Sequence, residues 1–145
     1  MAKRIFLSYS HKDETFKDEL DVHLATLKRT GLVEVWHDRQ IAAGTAWDAT
    51  IHEELEKADI ILLLVSANFI ASKYIWEVEI EQAMSRHKEG SARVIPVFVR
   101  NCDTEGLPFS GIQGLPRDAK PVATFPDRDE AYLQIAQGIR AVLER

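Results

Sequence analysis

Short runs of apolar residues alternate along the chain with longer segments in which apolar residues recur every three or four positions. The runs predict strands and the longer segments predict amphipathic helices. Four runs predict strands at residues 4–8, 33–36, 59–65 and 94–99, and a shorter run predicts an edge strand at 122–125. Because strands alternate with helices from one end to the other, we expect an α/β domain with a mainly parallel sheet.

The third run is apolar at six successive positions, 60–65, which is typical of a central parallel strand covered by helices on both sides. Pro96 lacks the N–H that a central strand donates, so the fourth strand is expected toward an edge or with a local irregularity. Right-handed crossovers then favour a doubly wound, flavodoxin-like parallel sheet of five strands in the order 2-1-3-4-5, with helices on both faces. No linker or repeat interrupts the pattern, and we expect a single domain over residues 1–145.

The order of the strands also predicts where a ligand binds. In such sheets the crevice lies beyond the carboxyl ends of strands 1 and 3. Residues 8–10, residues 66–68 and the start of a helix predicted over 72–87 should therefore surround one crevice.

Charge and composition restrict the partners. The chain has 18 Lys and Arg residues against 23 Asp and Glu residues, a net charge of −5, so neither nucleic acid nor a membrane surface is expected as a direct partner. A dinucleotide remains compatible, because its pyrophosphate needs only local backbone donors or one basic side chain. Cys102 is the single cysteine and the longest apolar run is too short to span a bilayer, which favours the cytoplasm.

Several common nucleotide and metal sites have no counterpart in the sequence. The turn after the first strand has no glycine, which argues against a dinucleotide-binding Rossmann loop and against a P-loop. Ser8 and Ser66 stand where a phosphoacceptor receiver domain needs acids. The five histidines do not have the spacing of a metal site, so we expect no metal and no resident cofactor.

Two acids on the helix after the third strand differ in their expected surroundings. At helical spacing Glu79 shares a row with Ile75 and Ala83, whereas Glu77 shares a row with Lys73. We therefore expect Glu79 to be partly desolvated beside the crevice and Glu77 to be solvated. Spacing alone leaves a second interpretation open, in which Glu79 is a surface glutamate on a slightly tilted helix.

The segments IFLSYS at 5–10, WHDRQIAAG at 36–44, SANFIASKYIWEVE at 66–79 and VIPV at 94–97 together resemble a TIR domain of the bacterial type. The resemblance covers nearly the whole chain and implies the flavodoxin-like sheet. It also implies that the loop from His37 to Ala46 is the mobile BB loop, which covers the crevice and contacts neighbouring copies, with Gly44 as its hinge.

TIR enzymes cleave NAD+ between nicotinamide and ribose with one glutamate, which follows a serine and an aromatic residue. The resemblance implies that Glu79 is this catalytic residue, behind Ser72 and Tyr74. Many relatives carry an aromatic residue four positions before the glutamate, where this chain has Ile75. This departure keeps Glu77 as a reserve candidate.

The resemblance implies a substrate site around Glu79. Its ten predicted residues comprise the catalytic Glu79 and a substrate-binding set of Phe6, Ser8, Ser10, Asp38, Gly44, Trp47, Ser72, Tyr74 and Trp76. Either Trp47 or Trp76 would stack on a ring of the substrate. Packing is the alternative role for Trp47, and capping of a helix is the alternative for Ser10.

The expected function is cleavage of NAD+, as substrate rather than cofactor, to nicotinamide and ADP-ribose or a cyclic ADP-ribose. The resemblance implies a role in bacterial defence or cell suicide, activated by self-assembly through the BB loop and helix faces. A sensor domain or partner protein would supply the trigger. The rival interpretation is a non-catalytic TIR module that recruits partners, and a third is a domain that binds NAD+ or a cyclic product without turnover.

Overall fold

The computed structural model describes residues 1–41 and 43–144 and contains a parallel sheet of four strands in the order β2-β1-β3-β4. The strands are β1 (Lys3–Ser8), β2 (Val33–Trp36), β3 (Ile60–Val65) and β4 (Arg93–Phe98). Every residue of β3 is buried, as its unbroken apolar run predicted. Pro96 lies within β4, at the end of this sheet, where the missing N–H faces away from a neighbouring strand.

The prediction of a fifth strand at 122–125 is wrong. Residues Val122–Thr124 form a 3-10 turn instead, directly after Pro121, whose φ is fixed near −63° and which has no N–H for a ladder. Ala123 donates one backbone hydrogen bond to the Val99 carbonyl (2.9 Å). The outer side of β4 is met instead by Leu115, which accepts from the N–H of Phe98 (2.8 Å) and donates to the Pro96 carbonyl (2.9 Å).

Helices cover both faces of the sheet. They are α1 (Glu14–His23), α2 (Ala25–Arg29), α3 (Trp47–Lys57), α4 (Ala67–Ala71), α5 (Glu81–Glu89) and α6 (Arg128–Leu143). The helix predicted over 72–87 contains a π-helical turn at Ile75–Ile80 that leads into α5. Within the described residues, no helix has both the length and the apolarity that crossing a bilayer requires.

An apolar cluster covers each face of the sheet. On one face, Leu20 and Leu24 pack with Ile135 and Ile139 of α6, and on the other, Ile51 and Leu55 of α3 pack with residues of α4 and α5. Each fully buried aliphatic side chain contributes about 1.5–3 kcal/mol, so these clusters hold the helices against the sheet. They thereby fix the ends of β1 and β3, from which the site is built.

Candidate active site

A cleft of about 290 Å³ lies where β1 ends and the BB loop begins. Its lining comes from the turn after β1, from the BB loop and the start of α3, and from the segment before α5: Tyr9, Ser10, His11, Lys12, Asp38, Trp47, Ser72, Tyr74, Ile75 and Glu79. Six of the ten predicted site residues are in this set. The parallel sheet brings these segments together although they are far apart in sequence.

Glu79 is the most buried acid of the cleft, with 6% of its surface exposed. The Ser8 hydroxyl donates a hydrogen bond to its Oε1 (2.7 Å), and Ser8 is itself buried at the end of β1. Burial raises the pKa of the Glu79 carboxyl to about 7, against the Ser8 hydrogen bond, which lowers it, and with a smaller upward contribution from the charge of Asp38. A larger fraction of this carboxyl is therefore protonated at neutral pH than of an exposed glutamate.

Glu77 has the opposite surroundings. Its side chain is 63% exposed and lies 4.0 Å from the Lys73 ammonium, outside the cleft lining. Such an exposed pair contributes little. The predicted contrast between the two acids is therefore present in the fold.

The π-helical turn explains how an aromatic side chain reaches the cleft despite the unusual spacing. In a π-helix each N–H bonds five residues back, so residues five apart lie one turn above each other, as residues four apart do in an α-helix. Tyr74 stands five positions before Glu79 and lines the same cleft. Its hydroxyl donates to Asp48 (2.6 Å), and its ring lies 4.5 Å from the Trp47 ring, with 45° between the planes.

Ser10 and Ser72 line the cleft and also begin helical segments. The Ser10 hydroxyl accepts from the N–H of Lys12 (3.3 Å), and the Ser72 hydroxyl accepts from the N–H of Ile75 (3.3 Å). The capping role expected as the alternative for Ser10 is thus present beside its position in the lining.

Four predicted site residues lie outside the cleft lining: Ser8, which donates to Glu79 from the end of β1, and Phe6, Gly44 and Trp76. Phe6 is 2% exposed and stacks on Trp36, with ring centroids 5.2 Å apart. Trp76 packs edge-on against Phe109 (6.2 Å), so Trp47 and not Trp76 presents an indole to the cleft. Gly44 lies in the exposed part of the BB loop with φ +85°, a conformation that favours glycine. Ala42, in the same loop, lies outside the described residues.

The N-terminal part of the BB loop is attached to the first helical segment by two side-chain pairs. Asp38 pairs with His11 (2.8 Å), and the Arg39 guanidinium pairs with Glu14 (2.6 Å). Tyr9 lines the cleft as expected for residues 8–10, whereas His11 and Lys12 were not expected there. No local pattern identifies them, because the pairing joins residues 27 positions apart.

Residues 66–68, expected at the crevice, are engaged with a different carboxyl. The Ser66 hydroxyl donates to Asp13, and the Asn68 amide donates to the same side chain (3.2 Å). Asp13 is 1% exposed and does not line the cleft with Glu79. The carboxyl ends of β1 and β3 thus each place a serine on a buried acid, but the two acids face different surroundings.

The sequence matches known proteins over most of its length. The family model described as TIR domain matches residues 5–136. Uncharacterized protein y4lF of Sinorhizobium fredii (strain NBRC 101917 / NGR234) is 48% identical over 141 residues. That alignment covers 97% of this chain but 44% of the relative, so the chain spans less than half of that protein's length.

Among solved structures, the chain is similar to the crystal structure of the TIR domain of the Toll-related Receptor TRR-2 from the lower metazoan Hydra magnipapillata. The TM-score is 0.68 at 14% identity, over 97% of this chain and 98% of that one, which shows a shared fold. The family match over residues 5–136 establishes the family: the chain belongs to the TIR domain family.

Proposed function

We propose that this TIR domain is an enzyme that cleaves NAD+ between nicotinamide and ribose, with Glu79 as the catalytic carboxylate. The observation that carries the proposal is a buried carboxyl at a cleft, with one oxygen held by Ser8. A domain that only recruits partners has no need of a desolvated acid beside an open cleft, because burial of such a group costs stability.

One acid is sufficient for this reaction. Ordinary glycosidases use two carboxyl groups, one of which protonates the leaving oxygen. The nicotinamide of NAD+ is already a cation and departs as a neutral ring, so no proton donor is required. What remains is to stabilise the positive charge that develops on the ribose, and a carboxylate beside the ribose does this.

The surroundings of Glu79 suit that task. A low-polarity site strengthens the attraction between a carboxylate and a developing cation. The Ser8 hydroxyl donates to Oε1 and so favours the charged form of the acid. Within the described residues Oε2 accepts no hydrogen bond, which leaves it for the ribose hydroxyls.

The rest of the cleft supplies groups for the remaining parts of a dinucleotide. Trp47, whose surface is 44% exposed, and Tyr74 offer aromatic faces for the nicotinamide or adenine ring. Lys12 offers a cation for the pyrophosphate. These assignments require no metal and no further cofactor.

We place this activity in bacterial defence or cell-suicide signalling in the cytoplasm, with self-assembly through the BB loop and helix faces as the activating step. The loop is exposed around Gly44, which suits a surface that changes conformation on contact with another copy. The remaining sequence of longer relatives offers room for the sensor that such a trigger needs.

The test is to incubate concentrated protein with NAD+ and to follow nicotinamide release by chromatography. Glu79→Gln should lower the rate by about 1000-fold, because it removes the charge that stabilises the transition state. Glu77→Gln is the matched control, two residues away and exposed, and should retain the parent rate.

Two outcomes would overturn the proposal. If Glu77→Gln is inactive and Glu79→Gln is active, the catalytic residue is misassigned. If the parent protein releases no nicotinamide even when crowding agents force its assembly, the domain is a non-catalytic module that recruits partners.

A further inference from the structure

His11 and Asp38 form a pair within the same cleft as Glu79. His11 Nε2 lies 2.8 Å from Asp38 Oδ2, and both side chains line the cleft. The His11 ring is 44% exposed, whereas the Asp38 side chain is 15% exposed. The imidazole is therefore accessible from the cleft, while the less exposed carboxylate holds the ring through Nε2.

This arrangement fixes which ring nitrogen carries the proton in neutral His11. A carboxylate accepts hydrogen bonds, so Nε2 holds the proton and Nδ1 keeps a free lone pair. Within the described part of the chain, Nδ1 has no hydrogen-bond partner. Asp38 Oδ1 is buried and accepts no hydrogen bond from the described residues, so Asp38 contacts His11 through its Oδ2.

We propose that His11, oriented by Asp38, is the general base that takes a proton from the water that attacks the ribose. The proposal rests on NAD+ cleavage at Glu79 and adds which product the site favours. Water must lose a proton as it attacks, whereas an adenine nitrogen attacks through a lone pair that carries none. A base in the cleft therefore directs the reaction toward linear ADP-ribose and away from a product cyclised at an adenine nitrogen.

The step balances in atoms and charge. The bond between ribose C1′ and the nicotinamide nitrogen breaks, and its electron pair neutralises the pyridinium ring. The water oxygen bonds to C1′ while its proton passes to His11 Nδ1, and the imidazolium then releases that proton to solvent. The sum is NAD+ and water giving nicotinamide, ADP-ribose and one proton.

A second histidine pair in the molecule is a natural control. His23 Nε2 lies 3.0 Å from Asp129 Oδ1, a geometry close to that of the first pair. This pair joins α1 to α6, and the His23 ring stacks on Tyr132 with centroids 5.0 Å apart, outside the cleft lining. Both pairs thus join a histidine to an aspartate, but only the pair of His11 and Asp38 lines the cleft.

The experiment compares two nucleophiles in one reaction mixture with NAD+ and 3-acetylpyridine. Hydrolysis needs a proton to be removed, whereas the pyridine nitrogen exchanges for nicotinamide without one. His11→Asn should lower the ratio of hydrolysis to exchange by at least about tenfold. This is below the roughly 100-fold common for a positioned base, because an oxocarbenium-like carbon needs little help from its nucleophile. The fraction of product cyclised at an adenine nitrogen should rise in parallel.

Asp38→Asn keeps a side chain of the same shape but removes the charge, and it should lower the same ratio of hydrolysis to exchange. His23→Asn should leave the ratio unchanged. Continued exchange shows that each variant is folded. If exchange proceeds and His11→Asn keeps the parent ratio, His11 is not the base, although Glu79 remains the catalytic residue. If the parent protein neither hydrolyses nor exchanges NAD+, the proposed function fails and this inference with it.

Discussion

Two buried carboxyl groups, Asp13 and Glu79, differ in how completely the protein surrounds them. Asp13 is 1% exposed and accepts from both the Ser66 hydroxyl and the Asn68 amide. Glu79 is 6% exposed, receives one hydrogen bond, from Ser8, and borders a cleft. Each is reached by the serine at the end of a neighbouring parallel strand, so the difference lies in the other contacts.

Asp13 is a structural acid, whereas Glu79 has the surroundings of a reactive one. A buried polar group whose hydrogen bonds are satisfied holds segments together, whereas one that the protein only partly satisfies keeps an oxygen for a ligand or for water. Asp13 joins the first turn of α1 to the segment after β3. Glu79 is left with an oxygen that the described residues do not satisfy, which is the state expected of a group that acts on a substrate.

Removal of Asp13 should have the largest effect on stability. Asp13→Ala leaves the donors of Ser66 and Asn68 without their acceptor and opens a small cavity, which together cost about 4 kcal/mol of unfolding free energy. Urea denaturation measures this. Glu56→Ala, at an exposed position of α3, should change stability by less than about 0.5 kcal/mol. A small loss for Asp13→Ala would show that Asp13 is not the structural member of the comparison.

Glu79→Gln should stabilise the fold relative to the parent, the opposite of Asp13→Ala, and it should do so only at high pH. The folded pKa of about 7 lies above the ordinary value of 4.5, so the folded protein binds more protons, and stability is lost as pH rises through 7. Glu79→Gln cannot ionise and escapes this loss. Relative to the parent, its unfolding free energy should rise by about 3 kcal/mol between about pH 5 and about pH 8.5.

The control for this measurement is Glu77→Gln, because that acid is exposed. Its stability relative to the parent should be the same at both ends of the range. An equal pH dependence in Glu79→Gln and the parent would contradict the raised pKa.

The pH dependence of NAD+ cleavage should follow the ionisation of Glu79. The charged form stabilises the transition state, so the rate should rise by about tenfold between about pH 6 and about pH 8, with its midpoint near 7. Initial rates of nicotinamide release at NAD+ concentrations well below KM measure this profile, because kcat/KM reports the ionisation of the free enzyme. A rate that falls over the same interval would mean that the protonated acid is the reactive form.

Substitution of Ser8 or Ser66, which donate to Glu79 and Asp13, should have the smallest effect of these changes. Ser8→Ala removes the hydrogen bond that favours the charged Glu79, and the midpoint of the pH profile should move up by about half a unit. Ser66→Ala should leave the midpoint in place but destabilise the fold by about 1–2 kcal/mol, since Ser66 also caps α4 by accepting from the Phe69 N–H (3.0 Å). Ser8→Thr should restore the midpoint if it folds.

Most of the fold could be predicted because its pattern is local. The run at 60–65 identified the central strand, and every residue of that strand is buried. The strand at 122–125 could not be judged in this way. Its residues are apolar, as a strand requires, but whether they join a sheet depends on Leu115 and Pro121, which decide what meets β4.

The site was predictable only where a single segment carries it. The row of Ile75, Glu79 and Ala83 left two interpretations open, a desolvated acid and a surface glutamate on a tilted helix, and Glu79 is buried. The bond from Ser8 to Glu79 and the pair of His11 with Asp38 join residues 71 and 27 positions apart. Such contacts are set by strand order and by the path of the BB loop, and no short sequence pattern contains them.

The π-helical turn before α5 has a consequence for the recognition of similar sites in other sequences. Because the turn absorbs one residue, the interval between Tyr74 and Glu79 is five rather than four, while both side chains still border the same cleft. A search pattern with a rigid interval would pass over this chain. The interval in sequence between two such residues is therefore better allowed to vary, because it depends on whether the local turn is α-helical or π-helical.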